Sequence, residues 1–135
     1  MALGAVVLRK MSLSEPLREI AIITVGAHYK AKFEFATHGP MAATAGVQAS
    51  AIEAIRIGKD PGFTDAADVA TYCVARELLL GHRLSDAIYA DVKAQLGESA
   101  LIELVTAVGY YTLISLTLNA FEVDVAPGMT ASFPD

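Results

Sequence analysis

Glycine stops and hydroxyl starts divide this chain into a series of short apolar segments, and none of them reads as a strand. Gly46, Gly58, Gly81 and Gly97 each follow a stretch whose apolar residues recur at helical spacing, and glycine in that place is the usual left-handed end of a helix. Ahead of the segments stand their N-caps. Ser12 with Glu15 has capping-box spacing, and Ser14 with Pro16 puts proline in a first turn, where no N–H is needed. Thr64 is expected to cap a helix from Asp65 to about Leu80, Ser85 one from Asp86 to Leu96, and Ser99 a last one to about Phe121. No alternating stretch is bounded by hairpin turns, and there is no glycine-rich phosphate loop or long internal repeat. The expectation is an all-α bundle of five to six helices joined by short loops.

Within that frame, Leu17, Ile20, Ile23 and Ala27 form a stripe that Ala21, Ile22 and Val25 widen until the segment is apolar nearly all round, the mark of a buried helix. A further helix runs to Ala45, and Gly39-Pro40 inside it predicts a kink or a restart, because proline offers no N–H to the carbonyl of Ala36. Ser50 to Gly58 reads as a short helix and Lys59 to Phe63 as a turn. Ala2 to Lys10 looks like the end of a helix whose beginning is missing, so the expectation is either a truncated start or another subunit covering the gap. Residues 1–122 form one helical domain on this reading, with 123–135 an irregular tail.

Composition decides how the helices are used. Of 135 residues, 54% are hydrophobic and 19% charged, with a mean hydropathy of +0.46. A domain of this length buries about two-thirds of its unfolded surface, so the surplus apolar surface calls for a membrane or a subunit interface. The uncharged run Leu104 to Phe121 sits at the lower edge of a membrane span. It holds several hydroxyls and Asn119, and its flanks are acidic (Glu98, Glu103, Glu122, Asp124) rather than basic. Self-association, with no membrane partner, is the expectation. Net charge is −5 without a basic cluster, which excludes nucleic acid as the expected partner. The apolar stretch of MALGAVVLRK precedes its basic residues, so it is not a secretory signal. The single cysteine, Cys73, permits no internal disulfide and suggests a cytoplasmic setting.

One stretch combines titratable groups with an apolar setting: Glu19 to Gly46, EIAIITVGAHYKAKFEFATHGPMAATAG. Glu34 and His38, at i,i+4, share one helix face with Cβ atoms about 5–6 Å apart. Glu19 can reach the same place from the preceding helix. Taken alone, such a pair is also what a helix surface or a satisfied buried contact looks like. His28 and His82 read as interface or surface residues, and Tyr110 and Tyr111 as packing, with a hydroxyl able to line a pocket. One imidazole and two carboxylates are too few to propose a metal, and no cofactor is expected.

The segments LREIAIITVGAHYKAKFEFATHGPMAATAGV, AI..IRIG, FTDAADVATYCVARELL and LSDAIYADVKAQLGESALIELVTAVGYYTLISLTLNAF, in that order, closely resemble the carboxymuconolactone decarboxylase family of the AhpD-like superfamily, over residues 3 to 122. The resemblance implies an AhpD-like helical bundle assembled as a homo-trimer or homo-hexamer. It also suggests additional N-terminal helix before the position matching Ala2. AhpD-type peroxidases carry a Glu, a Cys-x-x-Cys and a His four residues after the second Cys; here Glu19 and His38 match the Glu and His, while Ala31 and Glu34 occupy the cysteine positions. Thiol peroxidase chemistry needs an attacking thiolate and a resolving thiol, so that activity is disfavoured, and Cys73 reads as a small buried hydrophobe.

The decarboxylase branch lacks the cysteine pair and keeps Phe/Tyr-Glu-x-x-x-His, here Phe33 to His38. It implies a cofactor-free lyase or isomerase acting on a small anionic lactone or related ring acid. Such a reaction needs a proton donor, stabilisation of a developing oxyanion and a cation for the substrate carboxylates. His38 can supply the proton, and Glu34 can orient it or act as the acid if desolvation raises its pKa. Arg18, Arg76 and Arg83 are the candidate carboxylate anchors. A non-catalytic, ligand-binding member of the family is the further alternative.

Overall fold

The computed structural model describes residues 2–134, apart from the side chains of residues 6–8. Seven helices form among them: α1 (Ala2–Arg9), α2 (Glu15–His28), α3 (Lys32–Thr44), α4 (Ala49–Arg56), α5 (Ala66–Gly81), α6 (Asp86–Leu96) and α7 (Glu98–Ala120). The all-α expectation holds, with more helices than the five to six read from the sequence. The short ones, α1 and α4, have eight residues each, too few to persist alone in water, so packing against the rest sustains them.

Helix α2 is the centre. Leu17 and every residue from Glu19 to Gly26 are buried, as expected for a helix apolar on all sides. One side of it carries Leu17, Ala21, Ile22 and Val25 into a core completed by Val74 and Leu79 of α5, Val92 of α6, and Leu104, Val108 and Tyr111 of α7. Its other side sends Ile20 and Ile23 against Phe35 and Ala42 of α3 and Ala51 and Ile55 of α4. Each fully buried isoleucine contributes about 1.5–3 kcal/mol of transfer free energy. Residues 123–134 form no helix, yet they close the second core. Phe133 is buried edge-on against Phe35 with ring centroids 5.4 Å apart, and Arg56 donates to the carbonyl of Ser132 at 2.8 Å.

Several boundaries differ from the sequence reading, each for a local reason. Ser12 makes no capping box with Glu15: its N–H and hydroxyl, with the N–H of Leu13, donate to the Glu103 carboxylate of α7 at 2.8–3.0 Å. Ser14 is the N-cap residue of α2 and Pro16 occupies the first turn. Pro40 lies inside a single helix, without a restart. Asp65 rather than Thr64 caps α5, its carboxylate accepting from the N–H groups of Ala67 and Asp68. The left-handed stop of α5 falls on His82 (φ 63°), one residue after Gly81. Ser85 caps α6 as expected, accepting from Ile88 N–H, whereas α7 starts at Glu98 behind Gly97 and needs no serine cap.

At 23 residues, α7 is long and apolar enough to cross a membrane by length and composition, and a third of that stretch is buried in the fold. Its inner face packs on α2, α5 and α6. Ile102, Val105, Leu113 and Leu116 remain exposed along the opposite stripe.

Candidate functional site

Four of the buried polar residues, Glu19, Glu34, His38 and Ser115, gather where α2, α3 and α7 meet. The i,i+4 spacing in α3 does put Glu34 and His38 on one face, and both are buried, 2% and 8% exposed. They do not pair with each other. His38 Nδ1 lies 2.8 Å from Oε2 of Glu19, a carboxylate with no solvent exposure at all. Glu34 instead accepts a hydrogen bond from the hydroxyl of Ser115. The expectation that Glu34 orients the imidazole is therefore corrected: Glu19 does so. The i,i+4 spacing allows two side chains to meet, but here each is taken by a partner on a facing helix.

Helix α7 answers with its own i,i+4 pair in the opposite sense. Ser115 meets Glu34, and Tyr111 sets its ring edge-on to His38, centroids 5.2 Å apart at 81°. Tyr110 in turn packs edge-on against Tyr111. Neither Tyr111 nor Ser115 stands among the expected catalytic residues. The signal that could have found them is their spacing: a tyrosine and a serine one turn apart on the buried side of the helix.

Environment sets the charges. Burial pushes the Glu34 carboxyl up to about 8, and the Ser115 hydrogen bond offsets part of that rise. At pH 7 the neutral acid therefore predominates over the carboxylate. Burial, and next the Glu19 carboxylate, likewise raise the Tyr111 hydroxyl and keep it protonated. Arg18 brings the positive charge. Its Nε lies 3.8 Å from Glu19 Oε1 with the side chain 13% exposed. That is ion-pair range but beyond hydrogen-bond range, so Arg18 Nε and Glu19 Oε1 stay buried without hydrogen-bond partners, as does Oε1 of Glu34.

With Nδ1 committed to Glu19, the other ring nitrogen of His38, Nε2, has no hydrogen bond among the described residues. The ring keeps about a tenth of its side-chain surface accessible. Chemically this is an oriented imidazole, a neutral carboxylic acid and a guanidinium within one buried cluster. No family model and no curated protein matches the chain.

The remaining expected residues lie elsewhere. Arg76, on α5, lines a small cavity with His28 and Tyr72, and Arg83 lies exposed on the α5–α6 connection beside Leu84 and Ser85. Of the three arginines, only Arg18 joins the Glu19 cluster. Cys73 is half-buried on α5. Burial, then Glu77, Asp91 and Asp60, raise its thiol pKa, the reverse of what a reactive thiolate needs. Among the described residues no group of three or more His, Cys, Asp or Glu side chains is arranged to hold a metal ion.

Proposed function

We propose that this protein is a cofactor-free acid–base lyase or isomerase of the carboxymuconolactone decarboxylase kind, acting on a small anionic lactone or related ring acid. The observation that carries the reading is the His38–Glu19 contact placed beside the neutral, buried Glu34. Two titratable groups whose surroundings push them into different roles are what acid–base catalysis requires. Loss of CO₂ breaks the bond between the substrate carboxylate and its ring carbon and leaves the electron pair in a dienolate, which a proton then quenches at another carbon. His38 Nε2 moves that proton, and Glu19 holds the ring and stabilises the imidazolium when it forms. Glu34, as the neutral acid, donates a hydrogen bond to the dienolate oxygen, and Arg18 anchors a substrate carboxylate. The unpartnered buried atoms Arg18 Nε, Glu19 Oε1 and Glu34 Oε1 fit a cluster that a polar ligand completes.

The same proposal includes self-association as a homo-trimer or homo-hexamer with an AhpD-like bundle in each subunit, in the cytoplasm. The exposed stripe of α7, together with Leu80 and Phe121 at 60% and 78% exposure, supplies the apolar surface for it. Purified protein screened against lactones and β-keto acids, with CO₂ release and proton uptake followed, tests the activity. His38→Ala should abolish turnover with oligomer and helix content unchanged; full activity in that variant removes the mechanism.

A second reading, ligand binding without turnover, draws on the packing. Tyr111 covers one edge of the imidazole, and five surface cavities of the isolated chain are lined by residues other than Glu19, Glu34 and His38. Saturable binding of a lactone acid with no CO₂ released would favour it.

A further inference from the structure

On the far side of α2 from the Glu19 cluster, a cavity of about 50 Å³ opens between α2, α4 and α5. It is lined by Thr24, Ala27, His28, Ile55, Gly58, Tyr72 and Arg76. Thr24 and Ile55 are buried, Tyr72 and Arg76 half-buried, and His28 and Gly58 exposed. The lining is therefore apolar at depth and polar toward the opening. A water needs about 10–15 Å³ of such space, so the cavity takes about four non-hydrogen atoms. That is the size of a carboxylate or phosphate head.

Of its polar groups, the Thr24 hydroxyl is spent on the carbonyl of Ile20 at 2.6 Å, and the other three, all able to donate, are not engaged. Among the described residues, Arg76, the His28 imidazole and the Tyr72 hydroxyl make no hydrogen bond or ion pair. No nearby acid among the described residues pairs with Arg76, although the Asp60 carboxylate acts on Tyr72 at a distance. Glu77 spends both carboxylate oxygens on the N–H and hydroxyl of Ser85, at 2.7 and 2.9 Å, and Asp60 accepts from Gly62 N–H within its own loop. His28 is held toward its neutral form by burial and by the positive charges of Arg76 and His82. In a chain of net charge −5, an arginine without an acidic partner, in a recess with two further donors, is an anion-binding arrangement. Its planar fork suits a two-oxygen acceptor.

We infer that the His28–Tyr72–Arg76 cavity is a binding site for the oxyanion head of a small ligand, a carboxylate or a phosphate, separate from the Glu19 cluster. Arg76 supplies the charge and paired N–H donors, Tyr72 a hydroxyl donor, and His28 a ring N–H at the opening, with Gly58 leaving room for the rest of the ligand to extend into solvent. The inference goes beyond the proposed lyase activity and does not depend on it.

The test uses the intact protein, sodium phosphate and sodium acetate as probes, and sodium chloride at matched ionic strength as the control, each up to tens of millimolar. The ring proton resonances of His28 are followed by NMR. The expected result is a saturable shift with phosphate, acetate or both, together with a higher His28 titration midpoint, because a bound anion favours the imidazolium. The more effective probe identifies the oxyanion source. Arg76→Gln should weaken binding by about tenfold to a hundredfold, as loss of a charge-assisted pair does, and Tyr72→Phe by a few fold with the guanidinium intact. The site is disproved by a His28 signal that ignores both oxyanions or follows chloride equally. Equal binding by wild type and both variants disproves it as well.

Discussion

His38 Nδ1 lies 2.8 Å from Glu19 Oε2, across nineteen residues and two helices, rather than on Glu34 one turn away in its own helix. A buried carboxylate behind an imidazole fixes which ring nitrogen faces outward. The relationship divides the cluster into two parts: an imidazole–carboxylate contact on the His38 side, and a neutral acid with a hydroxyl on the Glu34 side.

Glu19→Gln separates orientation from charge. The glutamine fills the same volume but carries no charge to stabilise the imidazolium, so turnover of the proposed reaction should fall by about 10²- to 10⁴-fold, with helix content unchanged by circular dichroism. Steady-state CO₂ release in the variant, compared with wild type at the same pH, is the measurement. Turnover within a few fold of wild type would show that the carboxylate is structural.

Glu34 makes stability depend on pH in a stated direction. Its carboxyl is raised from 4.5 to about 8 in the folded chain, so between those values the folded state keeps a proton that the unfolded state has released. Stability should therefore fall as pH rises from about 4.5 to 8 and level off above. The full span corresponds to about 5 kcal/mol as an order of magnitude. Glu34→Gln should lack that decline. Thermal or urea melts of both proteins across the range check it; parallel curves would mean that Glu34 ionises normally.

Two adjacent residues at the start of α5 give a sharper structural check. Asp65 accepts from the N–H groups of Ala67 and Asp68 at 2.9 and 3.3 Å, so Asp65→Ala should cost about 1 kcal/mol. Thr64 is exposed and caps nothing, and Thr64→Ala should stay within about 0.5 kcal/mol of wild type. Urea denaturation of the two variants distinguishes them.

Cys73 should behave as a sluggish thiol. Burial and the acids Glu77, Asp91 and Asp60 lift its pKa above the ordinary 9.0, so labelling by a disulfide reagent at pH 7 should be slower than that of a free cysteine and accelerate only at alkaline pH. Stopped-flow labelling rates against pH measure this. Fast labelling at neutral pH would reopen thiol chemistry.

The sequence by itself determined the helices and their faces. Spacing, caps and glycine stops act over a few residues, so α2, α3, α6 and α7 were legible from composition and order, as was the shared face of Glu34 and His38. Errors within that range came from near neighbours competing for one role, Asp65 against Thr64 and His82 against Gly81, where a difference of about a kilocalorie decides. Only the tertiary structure decided who pairs with whom. Glu103 reached back to Ser12, Phe133 folded onto Phe35, Ser115 met Glu34, and Glu19 rather than Glu34 took His38. A helix period fixes the direction in which a side chain leaves its axis, but contacts between helices depend on how the axes pack. That packing is set by the summed burial of many apolar side chains and leaves no mark at any one position.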